Sequence, residues 1–186
     1  MNATAPLSEE ALLRAAKSGA AEAFQKLVGL HQATVLGFLY HMGNEPDAAQ
    51  DLAQETFIKA WLALDSYEHR GQLKSWLLKI AYHTTIDYWR QQRPSVTLDE
   101  VTLDDGRPGL ESLALQADRA ELVRRAIRAL PERSRSVIIL REYHQLSYRE
   151  IAATLDIPIG TVMSRLNYAR SLLKNALQPL LEDAYA

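Results

Sequence analysis

The sequence predicts an all-α protein built as two small helical domains joined by an extended acidic linker. Apolar residues recur at three- and four-residue steps on both sides of the middle of the chain, the period of helices with one buried face. Between them, Pro94 to Leu113 has two prolines, two glycines, five acids and no helical period. The last third then contains a short helix, a tight turn and a second helix, the layout of a helix-turn-helix. A chain of 186 residues has room for one ordinary domain or two small ones, so the composition of the linker decides the count.

In the first half, Phe24, Leu27, Val28, His31, Val35, Phe38, Leu39 and Met42 fall on one face of a long helix. Gly43 and Asn44 end it, and Pro46 suits the first turn of the next, where a missing amide proton costs nothing. The inner face of that second helix is Ala49, Leu52, Ala53, Thr56, Phe57, Ala60 and Leu64. After a polar break from Ser66 to Gly71, Leu73, Leu77, Ile80, Ala81, Thr84 and Tyr88 set up another helical face that runs out near Arg93 and Pro94. Residues 1–93 form the first domain and 94–113 the linker.

Beyond the linker, in residues 114–186, Leu115, Ala120, Leu122, Val123, Ile127 and Leu130 continue a row begun at Leu113 and mark a helix stopped by Pro131. Val137, Ile138 and Leu140 belong to the next helix. Ser147 and Glu150 have the spacing of a capping box, with Leu146 and Ile151 spaced for a hydrophobic staple, so a helix start is locally over-specified. That helix runs to about Leu155, where Asp156, Ile157 and Pro158 interrupt it. In the helix that follows, Ile159, Val162, Leu166, Ala169 and Leu173 can face a core. Thr161, Ser164, Arg165, Asn167, Tyr168 and Arg170 are left around the remainder, types that hydrogen-bond phosphates and base edges.

Net charge is −2, which conceals an alternation along the chain. Residues 1–65 have 4 basic and 8 acidic side chains, 66–93 have 5 and 2, 94–113 have 1 and 5, and 114–186 have 11 and 8. Such alternation suits a protein that meets DNA in two places and another protein elsewhere. The absence of cysteine excludes disulfides, thiolate metal sites and a cysteine nucleophile. His31, His41, His69, His83 and His144 lie in no zinc-type spacing, and no glycine-rich phosphate loop is present. The sequence therefore predicts no enzyme, no metal and no cofactor, and reads His31 as a core histidine. With no basic start leading into an apolar run, and no stretch near the ~20 apolar residues that span a bilayer, it also predicts a cytoplasmic protein without membrane insertion of its own.

Three stretches, Leu130 to Arg135, Leu146 to Ala152 and Ile157 to Leu166, resemble region 4 of the sigma-70 superfamily, specifically its extracytoplasmic-function RNA polymerase sigma factors. Asp51 to Trp61 resembles region 2.2 of the same family, and Trp76, Leu77, Ile80, Ala81, Ile86 and Asp87 resemble regions 2.3 and 2.4. The likeness covers nearly the whole chain in the family's order. It implies a subunit that binds core RNA polymerase and directs initiation at minus-thirty-five and minus-ten promoter elements, held in check by an anti-sigma factor.

By the same resemblance, Asp51, Leu52, Gln54, Glu55, Ile58 and Trp61 are expected to dock on the largest polymerase subunit, although Leu52, Phe57 and Ala60 read better as core. Carboxylates beside exposed apolar groups suit a basic, partly apolar helix. Lys74, Lys79, Tyr82, His83 and Arg90, around the outer side of the fourth helix, are expected to hold the opened minus-ten strand, with residues 66–72 as the base-reading loop and Trp76 as core. Tyr148, Arg149, Thr161, Ser164, Arg165, Asn167, Tyr168 and Arg170 are expected on minus-thirty-five DNA. In the family the linker threads toward the RNA exit channel, a place its acids Asp99, Glu100, Asp104, Asp105 and Glu111 suit, though a solvated tether explains them as well.

Three residues depart from the family pattern. His83 stands where asparagine is common, Met163 where lysine or arginine is usual, and Tyr168 where arginine is common. Methionine cannot donate to guanine, and tyrosine cannot make arginine's two-pronged contact. Two rival readings use less of the chain. A helix-turn-helix regulator with a helical signal domain leaves the basic, aromatic fourth helix without a task, and a helical interaction module leaves both basic segments unused.

Overall fold

The computed structural model describes residues 8–68, 72–92 and 114–182, the side chains of 114–119 and 179–182 excepted. Among the described residues there are eight α-helices and no strand. They divide into two compact units, Met1–Tyr40 with Asn44–Thr85, and His41–Gly43 with Ile86–Ala186. The acidic linker expected at 94–113 lies outside the described residues, as do His69, Arg70 and Gly71 of the expected base-reading loop.

In the first unit, α1 (Glu9–Lys17) is a helix that apolar spacing did not single out. It is short but well terminated: the Ser8 hydroxyl accepts from the Ala11 amide at 3.3 Å, Glu9 and Glu10 lie in the first turn, and Arg14 and Lys17 lie in the last. Leu12, Leu13 and Ala16 bury its inner face. Two polar ties hold it further. Glu9 Oε2 lies 3.3 Å from Nε2 of the buried His31, and Lys17 Nζ donates to the Tyr67 carbonyl at 2.5 Å.

The long helix α2 (Ala21–His41) buries Leu27, Val35, Phe38 and Leu39, and its end is closed by the buried Asn44, whose amide donates to the Leu39 carbonyl at 2.8 Å. Gly43, at φ +99°, makes the left-handed turn that follows a helix end. Helix α3 (Pro46–Leu62) starts on Pro46 and buries Ala49, Leu52, Thr56, Phe57 and Ala60, with the Thr56 hydroxyl satisfied by the Leu52 carbonyl at 2.7 Å. A single 3₁₀ turn, Leu64–Ser66, precedes α4 (Leu73–Gln92), which ends just before Arg93 and Pro94.

The second unit packs α5 (Ala114–Arg128), α6 (Glu132–Glu142) and α7 (Tyr148–Leu155) against α8 (Ile159–Glu182). Ile127, Val137, Ile138, Leu140, Ile151, Val162, Leu166 and Ala169 fill the space between them. The end of α5 is closed by Arg135, which donates to the carbonyls of Leu130, at 2.8 Å, and Arg128. Both halves of the capping box form: the Glu150 amide donates to Ser147 Oγ at 3.3 Å and the Ser147 amide to Glu150 Oε2 at 2.7 Å. Leu146 and Ile151 are buried beside it. Asp156 stops α7 in the left-handed conformation, φ 56°, and the Pro158 carbonyl accepts the first bonds of α8.

Replacing Ser147 by alanine removes an acceptor from the first turn of α7 and should cost about 1 kcal/mol. Leu166→Ala, in the fully buried seam of α8, should cost about 2–5 kcal/mol. Urea denaturation of the two variants checks both the sizes and their order.

Candidate nucleic-acid and protein interfaces

Burial of Val162, Leu166 and Ala169 sets the rotation of α8, and with it the side chains the helix shows to solvent. Ser164, Asn167 and Tyr168 are exposed, while Thr161 and Arg165 are partly covered on one flank. The Ser164 hydroxyl donates to the Thr161 carbonyl at 3.0 Å, which leaves its lone pairs available outward. In α7, Arg149 is exposed, and Tyr148 is half-buried beneath the Arg141 guanidinium, 5.3 Å from its ring centre.

Two residues of α8 depart from the sequence expectation. Ile159 is not enclosed in the core but 39% exposed, since it is the first residue of α8 and has no helical turn ahead of it. Arg170 is not an unengaged cation: it pairs with Glu142 of α6 at 2.9 Å. Its hydrogen bond to the Glu142 carboxylate, with a smaller one to Tyr148, holds its pKa above the usual arginine value.

Along α4, Lys79, Tyr82, His83 and Arg90 share the side away from buried Leu73, Leu77, Ala81 and Thr84. Tyr82 and His83 meet edge to face, ring centres 5.4 Å apart, and Arg90 pairs with Asp87 at 2.6 Å. Lys74 does not share this stripe. It falls in the helical row of Leu78, Ala81 and Thr85, all buried, so the outer side of α4 holds the expected minus-ten residues without it. Trp76 packs on the buried Tyr67 ring at 4.9 Å, which makes it part of the fold.

On α3, Asp51, Gln54, Glu55, Ile58 and Trp61 all face outward, with Ile58 61% exposed. Leu52 is only 2% exposed and belongs to the core, so it is removed from the docking set. Glu55 pairs with Lys59 at 2.7 Å, and Lys59 also donates to Thr84 at 3.2 Å, which ties this face of α3 to α4. Trp61 is steadied by the Phe24 ring 4.9 Å away. Beside these residues an apolar groove of about 640 Å³ runs between α2 and α3, lined by Val28, Gln32, Leu36, Ala53, Phe57 and Ile58 among others. The sequence reading placed this surface on α3 alone. Leu36, which stands off the inward row of α2 and is 37% exposed, was the signal for the second wall.

The model of sigma-70 region 2 matches residues 27–95, and that of sigma-70 region 4 matches residues 120–173. The RNA polymerase sigma-H factor of Pseudomonas aeruginosa is 35% identical over 95% of this chain and 97% of its own. The ECF RNA polymerase sigma-E factor of Escherichia coli K12 is 36% identical over 94% of this chain and 97% of its own. The chain belongs to the extracytoplasmic-function group of the sigma-70 family.

Two solved structures share the fold of this sigma factor. CnrH in complex with the cytosolic domain of CnrY superposes with a TM-score of 0.69 at 28% identity, over 90% of this chain and 96% of that one. The sigma factor RpoE of Bartonella quintana, in complex with the anti-sigma factor NepR, gives 0.65 at 28% identity, over 83% and 96%. Sigma factors confer promoter specificity at transcription initiation and are not enzymes. Its matched segments span α2 to α4 and most of the second unit, and α1 lies ahead of them. No helix among the described residues is long and apolar enough to cross a membrane.

Proposed function

We propose that this sigma factor brings RNA polymerase to its promoters by dividing three contacts among four helices. The outer face of α3, with Asp51, Gln54, Glu55, Ile58 and Trp61, docks on core polymerase. Lys79, Tyr82, His83 and Arg90 on α4 hold the opened minus-ten strand, with Lys74 at the edge of that surface. Helices α7 and α8 read the minus-thirty-five element, with Ser164 and Asn167 toward base edges and Arg149 and Arg165 toward phosphates. Tyr148, Thr161 and Tyr168 flank them, and Arg170, already paired, buttresses α8. The reading takes residues 1–93 and 114–186 as the two working domains and 94–113 as their tether, and places the protein in the cytoplasm with polymerase.

The observation that carries it is the rotation of α8, where a buried seam turns Ser164 and Asn167 outward from a helix that follows a fully formed capping box and a tight turn. That arrangement suits a helix laid in the major groove. An anti-sigma partner is expected as well, since the two structural relatives were each solved with a bound regulator, named as an anti-sigma factor in one case.

Reconstitution with core polymerase on a random promoter library tests the function. Two enriched elements that appear only when both components are present are expected, and enrichment by the chain alone would overturn the reading in favour of a polymerase-independent regulator. At the core interface, Asp51→Lys with Glu55→Lys should weaken binding in a titration with core enzyme while helical content stays constant, because reversed charge meets a like-charged partner. Asp51 is the cleaner of the two, since reversing Glu55 also removes the Lys59 ion pair. On α8, Asn167→Ala should cost about 1–3 kcal/mol on the best minus-thirty-five sequence and much less on variants at one base position. Arg165→Ala should instead weaken all promoters alike and flatten the salt dependence. Holoenzyme binding to single-base variants at two salt concentrations separates these roles, and an exchange of the two patterns would exchange the assignments.

A further inference from the structure

We propose that Ile159 and Met163 form an apolar reader on the recognition helix, one that lies against thymine 5-methyl groups of the minus-thirty-five element. The proposal rests on the reading of α8 given above and deepens it by naming the base chemistry. Ile159 is the first residue of α8 and Met163 stands one turn later, so the two side chains share a flank. They are 39% and 46% exposed, although Val162 between them is completely buried. The rotation of the helix is thus fixed, and neither side chain can turn inward without pulling the seam apart.

Both lie in the first two turns of α8, and in a helix-turn-helix the N-terminal residues of the second helix meet base edges. Their exposed neighbours, Ser164 and Asn167, are hydrogen-bonding groups. An apolar pair set among such groups finds its best match on the floor of the major groove in thymine, whose 5-methyl is the one apolar group that projects from a base edge there. The backbone presents charged phosphate oxygens and deoxyribose rings, and no methyl. Methionine adds a flexible, polarisable stem that can follow a methyl group and has no proton to give guanine. The chemistry therefore selects thymine at the positions under this flank and removes a claim on guanine.

Deoxyuridine differs from thymidine by that methyl alone, which makes the test direct. Wild-type holoenzyme first selects its minus-thirty-five sequence from a random library. Each thymine of the selected element, on either strand, is then replaced in turn by deoxyuridine, and holoenzyme affinity is measured by titration. Loss of one buried methyl should lower affinity about fourfold at one or two positions. Met163→Ala and Ile159→Ala should bind the thymine and deoxyuridine forms equally at those positions, and Met163→Arg should move the preference there toward guanine.

Wild-type holoenzyme that selects a minus-thirty-five element but treats thymine and deoxyuridine alike throughout overturns the proposal and leaves the reading of α8 standing. Selection of no minus-thirty-five element overturns both. Deoxyuridine sensitivity that persists undiminished in both alanine variants assigns the methyl contact to other residues and also overturns it. If instead the alanine variants lose core-enzyme affinity while the wild type ignores the methyl, the pair belongs to a protein contact and the proposal falls. The wild-type arm needs no substitution, so no folding defect can obscure the result.

Discussion

Each helix of this protein can bury only one stripe, and the depth at which that stripe is buried decides what the rest of the helix can offer. The seam on α8 shows how much depends on it. Val162, Leu166 and Ala169 have essentially no exposed surface, and three other helices close over them. Rotating α8 by one residue, about 100°, would bring polar side chains into that space and cost far more than any contact a partner could return. The outward set of Ser164, Asn167, Tyr168 and Met163 follows from this constraint. On the proposed reading of α8, recognition follows from packing, and a core substitution in the seam would alter promoter choice without touching a reading residue.

The same constraint organises the first unit, with a different outcome. In α3 the buried row of Ala49, Leu52, Thr56 and Ala60 leaves Asp51, Gln54, Glu55 and Ile58 outward, and the groove beside them has a second wall from α2. Acids on the rim and apolar lining within suit a partner that brings both cations and apolar side chains, as an amphipathic basic helix does. Lys59 ties the two helices together, bonded to Glu55 on α3 and to Thr84 on α4. Its head group satisfies a buried hydroxyl and offsets a carboxylate at once, so the two helices share one support.

What the sequence disclosed, and what it withheld, divides along the range of the interaction involved. The capping box, the helix stops at Gly43 and Pro131, and the inward rows of α2, α3 and α4 are set by residues within a turn or two of one another, and local pattern shows them. Leu52 was legible as core from its row, although the family motif pulled it toward the docking set. Ile159 fits the apolar period of α8, but period says nothing about how far covering helices reach, and the first residue of the helix is left 39% exposed while Val162, in the same turn, is buried. The Arg170 to Glu142 pair and the Lys17 to Tyr67 bond join residues 28 and 50 positions apart, and no local pattern carries them. Helix α1 was missed for a related reason: nine residues show too little period, and its stability comes from caps and from tertiary ties at both ends.

Side-chain pairing, local and long-range, changes how the charge of the second unit should be counted. Residues 114–186 have 11 lysines and arginines against 8 acids, which read alone suggests a strong phosphate attraction. Arg124 and Arg125 pair with Glu121, Arg170 with Glu142, and Arg135 and Arg141 donate to main-chain carbonyls. Cations held this way neutralise little phosphate and release few counterions, and Met163 and Tyr168 supply none where the family commonly has basic residues. On the proposed reading, the second unit would then have modest affinity for duplex on its own, with discrimination carried by short side chains and apolar contact. Binding strength then has to come from joining: once a polymerase holds both units against one duplex, the second contact is made at the high effective concentration that tethering provides, and two weak faces give one strong site. A low intrinsic affinity for duplex is in this sense useful, since it keeps the unbound subunit from occupying promoters without the enzyme that can use them.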